Sequence, residues 1–82
     1  MNMEEVKEVI KKENLSNYSL FNQDNPKEHE VGIAKDNNSW KVYTRNERAT
    51  EEGVRFFDNE NDALDSFVKR LRASKALDDL KK

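Results

Sequence analysis

The chain lacks several residue types on which whole classes of protein depend. Its 82 residues include no cysteine, one proline and two glycines. Without cysteine there are no disulfides or thiolate metal sites, and so small a domain is then expected in a reducing compartment such as the cytoplasm. Two glycines are too few for a glycine-rich phosphate loop. No apolar run approaches the roughly 20 residues of a membrane span, and the polar N-terminus has no secretory hydrophobic segment.

Apolar side chains are scarce as well. Hydrophobic residues make up 34% of the chain and charged residues 39%, against roughly 45–50% (glycine included) and about 25% in typical domains. This composition favours disorder, but the apolar residues are clustered and periodic. We therefore predict a single domain over residues 1–82, with its core at about 3–73 and residues 74–82 as a frayed helical tail or a separately docked segment. A net charge of −2 argues against broad nucleic-acid binding.

The clearest local signal is a β-hairpin in the middle of the chain. Val31 and Ile33 alternate with polar or small residues, and Trp40 and Val42 do the same after a turn-forming segment at 36–39. Period-two alternation on both sides of such a turn predicts two paired strands, at about 29–36 and 39–45.

Apolar residues recur at helical spacing near both ends of the chain, at Met3, Val6, Val9 and Ile10 and again at Ala63, Leu64, Phe67, Val68 and Leu71. The first stripe predicts a helix at about 3–13, ended by a left-handed Asn14 with Leu15 folding back on its last turn. The second predicts a helix from about 60 to at least 73, with N-caps and acidic residues supplied by 58–62.

Short strands at about 18–21 and 54–57, and loops at 22–27 and 46–53, complete the predicted elements. The predicted fold is α+β: a helix, a four-stranded antiparallel meander and a second helix, with both helices on one sheet face. That face would carry Leu20, Val31, Ile33, Trp40, Val42 and Phe56. The opposite face would carry Phe21, Gly32, Ala34, Tyr43 and Phe57, either open to a partner or covered by loop residues or the leucines of the tail.

No residue pattern supplies a catalytic, cofactor or metal site. His29 has no serine, cysteine or second histidine at motif spacing, which is typical of a surface histidine. Glu51 and Glu52 show no sign of the burial that tunes catalytic carboxylates. The acids of residues 58–62 begin like a calcium loop, but the glycine and the final glutamate of that loop are missing.

A basic cluster on the second predicted helix leaves two interpretations open. Its members are Lys69, Arg70, Arg72 and Lys75. They would bind nucleic acid, or they would form a solvated face with ion pairs such as Asp65–Lys69. The acids at the start of the same helix would repel phosphate and favour the second interpretation.

The segment after the third predicted strand, Arg45-Asn46-Glu47-Arg48-Ala49, alternates in charge. Such a segment forms ion pairs within a loop or presents a recognition patch. Arginine makes forked hydrogen bonds to carboxylates and is enriched at the centres of interfaces.

Four parts of the chain together resemble a family of small bacterial immunity proteins encoded beside polymorphic toxins, of the immunity protein 59 type. They are the first helix with residues 13–21, residues 30–33 with 39–44, residues 47–49, and residues 57–64 with 67–73. Their order and spacing cover most of residues 3–75. The chain departs from the family pattern at Asn46, where an acid is typical, and in a shorter segment before the fourth strand.

The resemblance implies a cytoplasmic protein that neutralises a cognate toxin by stoichiometric binding, without catalysis or a cofactor. The many exposed acids suit a basic toxin such as a nuclease, and we expect a monomer or a weak homodimer with no membrane partner. The predicted partner-binding residues are Tyr43, Arg45, Asn46, Glu47, Arg48, Glu51 and Glu52, with Tyr43 as the anchor. A nucleic-acid-binding module and a non-enzymatic adaptor or subunit of a larger assembly remain the alternatives.

Overall fold

The computed structural model describes residues 1–21 and 27–80, apart from the side chains of residues 78 and 79. This part of the chain contains, in order, α1 (Met3–Lys12), β1 (Tyr18–Leu20), β2 (Val31–Asp36), β3 (Ser39–Arg45), β4 (Glu51–Phe57) and α2 (Glu60–Leu80). The predicted α+β class is confirmed. The loop predicted at 22–27 lies outside the described residues except for Lys27. No helix of the described ranges is both long and apolar enough to cross a membrane.

The four strands form one sheet in the order β1-β2-β3-β4. β2 and β3 are antiparallel, as are β3 and β4, but β1 runs parallel to β2, with Tyr18 opposite Val31 and Leu20 opposite Ile33. The prediction of a fully antiparallel meander is therefore wrong at β1. A hairpin loop needs only about two to five residues, whereas β1 ends at Leu20 and β2 starts at Val31, a separation in sequence that does not require a tight antiparallel turn.

Local hydrogen bonds define both ends of α1. At its start, Asn2 Oδ1 accepts from the Glu5 amide at 2.8 Å and Glu5 Oε1 accepts from the Asn2 amide at 3.2 Å, which is a complete capping box. At its end, Asn14 has a φ of 56° and the Leu15 amide donates to the Ile10 carbonyl at 2.9 Å. Leu15 is buried in the core. The predicted left-handed helix end at Asn14 is confirmed.

α2 begins at an asparagine cap and continues beyond the core. Asn59 Oδ1 accepts from the Asp62 amide at 2.8 Å, so the cap comes from within the predicted 58–62 segment. Leu71 is the last residue of α2 in the core cluster. Leu77 and Leu80 lie on the exposed helical extension, with 59% and 82% of their surface accessible, so neither docks against the core.

Both helices contribute to a core on one face of the sheet. The buried members are Val6, Ile10, Leu15, Val31, Ile33, Val42, Ala63, Leu64, Phe67, Val68 and Leu71. Phe57 also packs against this cluster, whereas Phe56 is 58% exposed. The predicted positions of these two phenylalanines are therefore reversed. The register places Phe57 opposite the core-facing Trp40 and Phe56 opposite Lys41, and paired residues share a sheet face.

A surface ion pair joins the end of α1 to α2. Arg72 donates from Nε to Glu13 Oε1 at 3.0 Å and from Nη2 to Glu13 Oε2 at 2.6 Å. The Lys75 ammonium donates to the Glu13 carbonyl oxygen. The hydrogen bond from Arg72 lowers the pKa of the Glu13 carboxyl below its ordinary value, against a smaller opposing effect of desolvation.

This ion pair predicts a small pH-dependent contribution to stability. Because the folded pKa of Glu13 is lower than its unfolded value of about 4.3, the contribution is fully present above that value and is lost as pH falls through the folded pKa. Arg72→Gln should therefore lower the free energy of unfolding at pH 7 more than at pH 3, measured by urea denaturation. Lys69→Gln, at an exposed position of the same helix, is the control. An Arg72→Gln effect independent of pH would contradict the prediction.

Candidate partner-binding site

Tyr43, the predicted anchor, is completely buried on the sheet face opposite the helices. Its ring lies across Gly32 on the neighbouring strand, so close that a Cβ added there would be 2.2 Å from Tyr43 Cζ. Lys41 Nζ and Arg45 Cζ lie 5.2 and 5.0 Å from the ring centroid, where cations are attracted to an aromatic ring. The opposite face is therefore covered at Tyr43 by charged neighbours.

A bulge in β4 accompanies this packing. The β3–β4 register pairs Val42 with Arg55 and Thr44 with Glu52, so Gly53 and Val54 together oppose Tyr43. Gly53 has a φ of 58°, a backbone conformation that glycine adopts without steric cost. The hydroxyl of Tyr43 is buried without a hydrogen-bond partner among the described residues.

A buried network of charges lies beside Tyr43. Arg45 Nε is 3.3 Å from Glu30 Oε1, and both side chains are less than a tenth exposed, at 8% and 6%. Glu51 connects the network to the surface. Its Oε2 lies 3.7 Å from Arg45 Nη2, and its Oε1 lies 2.9 Å from Lys41 Nζ. A buried charge needs such partners because an unpaired one is costly to desolvate.

Asn46 organises the loop that joins β3 to β4. Its Oδ1 accepts from the amides of Arg48 and Thr50 at 2.8 and 3.0 Å, and its Nδ2 donates to Glu52 Oε1 at 3.0 Å. Asparagine side chains stabilise turns by this kind of bond to the following backbone. Arg45 Nη1 holds the other end of the loop by donating to the Ala49 carbonyl at 2.8 Å.

The seven predicted contact residues differ in how deeply they are buried. Tyr43 and Arg45 are buried, Asn46 and Glu51 are half-buried, and Glu47, Arg48 and Glu52 are exposed. Because its side chain has no accessible surface, the anchor role predicted for Tyr43 does not fit the structure. Arg45 instead supports the loop through its bond to the Ala49 carbonyl, and Tyr43 packs beside Arg45. The other five residues lie in the loop and at the start of β4.

A cleft adjoins this loop, between α2 and the segment that leads into β2. Its lining includes Val31, Arg70, Ser74 and Leu77. His29 and Thr44 line both this cleft and the shallower depression beside Glu47 and Arg48. The two concavities therefore adjoin each other at these two residues. The cleft was not predicted from the sequence. The one feature of the sequence that points to it is that Leu77 lies outside the row of apolar α2 residues that faces the core.

Comparison with known families agrees with the resemblance based on sequence segments. The family model described as Immunity protein 59 matches residues 1–80. The chain belongs to the immunity protein 59 family. No curated protein and no solved structure matches it significantly. Membership of an immunity protein family implies a toxin as the partner.

The basic cluster of this immunity protein is largely engaged in contacts within the chain. Arg70 Nη2 donates to the Gly53 carbonyl at 2.6 Å, and Arg72 and Lys75 both bind Glu13. The predicted partner of Lys69, Asp65, lies 2.9 Å from the N-terminal nitrogen instead. Arg72 is paired with a carboxylate and Lys75 with a backbone carbonyl, so the cluster is not a continuous row of unpaired cations, which weakens the nucleic-acid alternative.

The structure also locates the acidic residues and the histidine that the sequence raised as candidates for metal binding or catalysis. Across residues 1–21 and 27–80, no group of three or more His, Cys, Asp or Glu side chains is placed to hold a metal ion. Asn59 and Asp62, within the segment that resembles the start of a calcium loop, form the helix cap. His29 is exposed, as its sequence context indicated.

Proposed function

We propose that this member of the immunity protein 59 family neutralises a cognate toxin by stoichiometric contact, without a covalent step. The proposed contact surface is the outer side of the β3–β4 loop together with the start of β4, and consists of Asn46, Glu47, Arg48, Glu51 and Glu52. One observation supports it above the others: the loop is held by internal hydrogen bonds while the Glu47 and Arg48 side chains are exposed.

A loop ordered in advance favours binding because less conformational entropy is lost when the complex forms. The two bonds to Asn46 Oδ1 and the bond from Arg45 to the Ala49 carbonyl restrain the backbone on both sides of Glu47 and Arg48. The Arg48 guanidinium is then presented in a restricted region, where it can make forked hydrogen bonds to a carboxylate of the toxin. Glu47 adds an adjacent charge of opposite sign, which helps to select the partner.

The loop alone is smaller than the surface that a stable protein–protein complex buries. A standard interface takes about 800 Å² from each partner, and this protein has 5744 Å² of accessible surface in total. The contact region would then cover about a seventh of the molecule. A five-residue loop is too small to supply that area alone, so the toxin must also contact surfaces next to the loop.

The double variant Glu47→Ala/Arg48→Ala should weaken toxin binding about tenfold or more while leaving the fold intact. We expect this because both side chains are exposed and loss of an interface arginine often costs more than about 1.4 kcal/mol, a tenfold change in Kd. The measurement is calorimetric titration with the purified toxin domain encoded by the neighbouring gene.

Lys7→Ala/Glu8→Ala is a matched control, since it removes one exposed charge of each sign from α1. Unchanged affinity in the loop variant, with wild-type binding intact, would show that the contact surface lies elsewhere. If the wild-type protein neither binds this toxin domain nor protects cells that express it, neutralisation itself is contradicted.

A further inference from the structure

The cleft beside α2 has a size and position suited to a short segment of a partner protein. Its volume is about 830 Å³, within the range of roughly 300–1,000 Å³ typical of ligand-binding clefts. It shares His29 and Thr44 with the depression beside the β3–β4 loop. A partner seated on the loop would therefore lie directly next to the cleft.

The α2 side of the cleft is apolar at its outer end. Leu77 is a lining residue and is 59% exposed. Leu80 lies one turn further along α2 and is 82% exposed, but it does not line the cleft. Leucine side chains on the part of α2 beyond the core expose apolar surface to water, which is unfavourable. An apolar group of a partner packed on Leu77 would remove part of that surface from water.

The lining of the cleft also includes a positive charge that no carboxylate among the described residues balances. Arg70 is half-buried and donates to two neutral acceptors, the Gly53 carbonyl at 2.6 Å and Thr44 Oγ1 at 3.3 Å. No carboxylate of the described residues pairs with it. Burial and the charge of the nearby Arg55 lower the pKa of Arg70 below its ordinary value, so the guanidinium is held where its charge is poorly compensated.

Two further cationic or titratable side chains line the cleft, Lys27 and His29, and the acidic residue among the described lining is Glu28. All three are exposed, so solvent screens them more than it screens Arg70. The least screened charge among the described lining residues is therefore that of the arginine. A carboxylate would compensate it, whereas an ammonium group would be repelled.

We propose that this cleft receives a segment of the toxin in which an apolar side chain, packed on Leu77, is adjacent to a carboxylate that binds Arg70. The cleft extends the contact surface of the β3–β4 loop and supplies part of the area that the loop lacks. This inference rests on the proposed function, because the occupant is the toxin.

The apolar half of the proposal is tested by comparing Leu77→Ser with Leu80→Ser in titrations with the toxin domain encoded by the neighbouring gene. Both leucines are exposed on the same helix, so neither change should unfold the protein. We expect Leu77→Ser to raise Kd about tenfold and Leu80→Ser to change it less than about threefold. Equal effects of the two variants, no effect of Leu77→Ser, or a larger effect of Leu80→Ser would overturn the proposal.

The charge of the occupant is tested at one position with opposite substitutions. Ser74 is half-buried in the cleft wall, so Ser74→Glu places a carboxylate near the expected carboxylate of the toxin and Ser74→Lys places an ammonium there. We expect the glutamate variant to bind at least tenfold more weakly than the lysine variant at low salt, with the difference shrinking as salt is added. Equal binding, or tighter binding by the glutamate variant, would overturn an acidic occupant.

Binding by the wild-type protein and by the loop variant distinguishes a failure at the cleft from a failure of the proposed function. If wild-type protein does not bind the toxin domain, both are wrong. If wild-type protein binds and the Glu47→Ala/Arg48→Ala variant is weakened, but the changes at Leu77 and Ser74 have no effect, the loop is the contact surface and the cleft is not.

Discussion

Replacing Gly32 with alanine is expected to lower the free energy of unfolding by about 3 kcal/mol or more, the upper end of the cost of overpacking a buried site. The new Cβ would lie 2.2, 2.4 and 2.5 Å from Cζ, Oη and Cε2 of Tyr43, far inside van der Waals contact. The ring cannot move aside cheaply, because it is completely buried and flanked by Lys41 and Arg45. Urea denaturation monitored by circular dichroism measures the effect.

A double-mutant cycle attributes this cost to the tyrosine ring. Tyr43→Leu removes the three atoms that the new methyl group would meet. Although this change is itself destabilising, adding Gly32→Ala in its background should cost less than about 1 kcal/mol. Equal costs of Gly32→Ala in the wild-type and Tyr43→Leu backgrounds would show that the strain has another source, such as the backbone of β2.

Arg45→Met is expected to destabilise the protein by about 3–5 kcal/mol, the usual cost of breaking a buried ion pair from one side. The substitution leaves Glu30, whose side chain is 6% exposed, without the guanidinium that lies 3.3 Å from it. It also removes the hydrogen bond to the Ala49 carbonyl and the contact with Glu51. The Tm and the free energy of unfolding in urea measure the loss.

The double variant Glu30→Leu/Arg45→Met tests the reason for that loss. Because it removes both buried charges, it should be more stable than Arg45→Met alone. A double variant that is less stable than Arg45→Met would show that the arginine acts through packing or through the loop. Lys41→Met is the comparison for a partly exposed cation in the same network, since the side chains of its ion pair with Glu51 are 20% and 29% exposed, and its cost should be about 1 kcal/mol or less.

The predictions for Gly32→Ala and Arg45→Met both involve residues that the sequence marks as candidates for partner contact, Tyr43 and Arg45, although the structure gives these residues a different role. Tyr43 and Arg45 were identified as candidates for partner contact from charge alternation and residue type. In the structure both are buried: Arg45 holds the loop by its bond to the Ala49 carbonyl, and Tyr43 packs beside Arg45. Glu47 and Arg48 remain candidates because their side chains are exposed.

Local interactions allowed much of the fold to be predicted from the sequence. The α1 boundaries depend on contacts between residues at most five apart, such as the Leu15 amide with the Ile10 carbonyl. The hairpin from Val31 to Arg45 depends on alternation and on a short turn. Each of these signals lies within one stretch of chain, so composition and periodicity are sufficient to find it.

By itself the sequence determined the α+β class, both helices, the central hairpin and the immunity protein resemblance. Tertiary structure alone decided the parallel pairing of β1, which of Phe56 and Phe57 faces the core, the burial of Tyr43 against Gly32, and the cleft beside Leu77. Each of these depends on how segments far apart in sequence meet in space. A shift of one residue in strand register exchanges the two sheet faces, and local periodicity cannot choose between two adjacent phenylalanines or show which glycine lies beneath a ring.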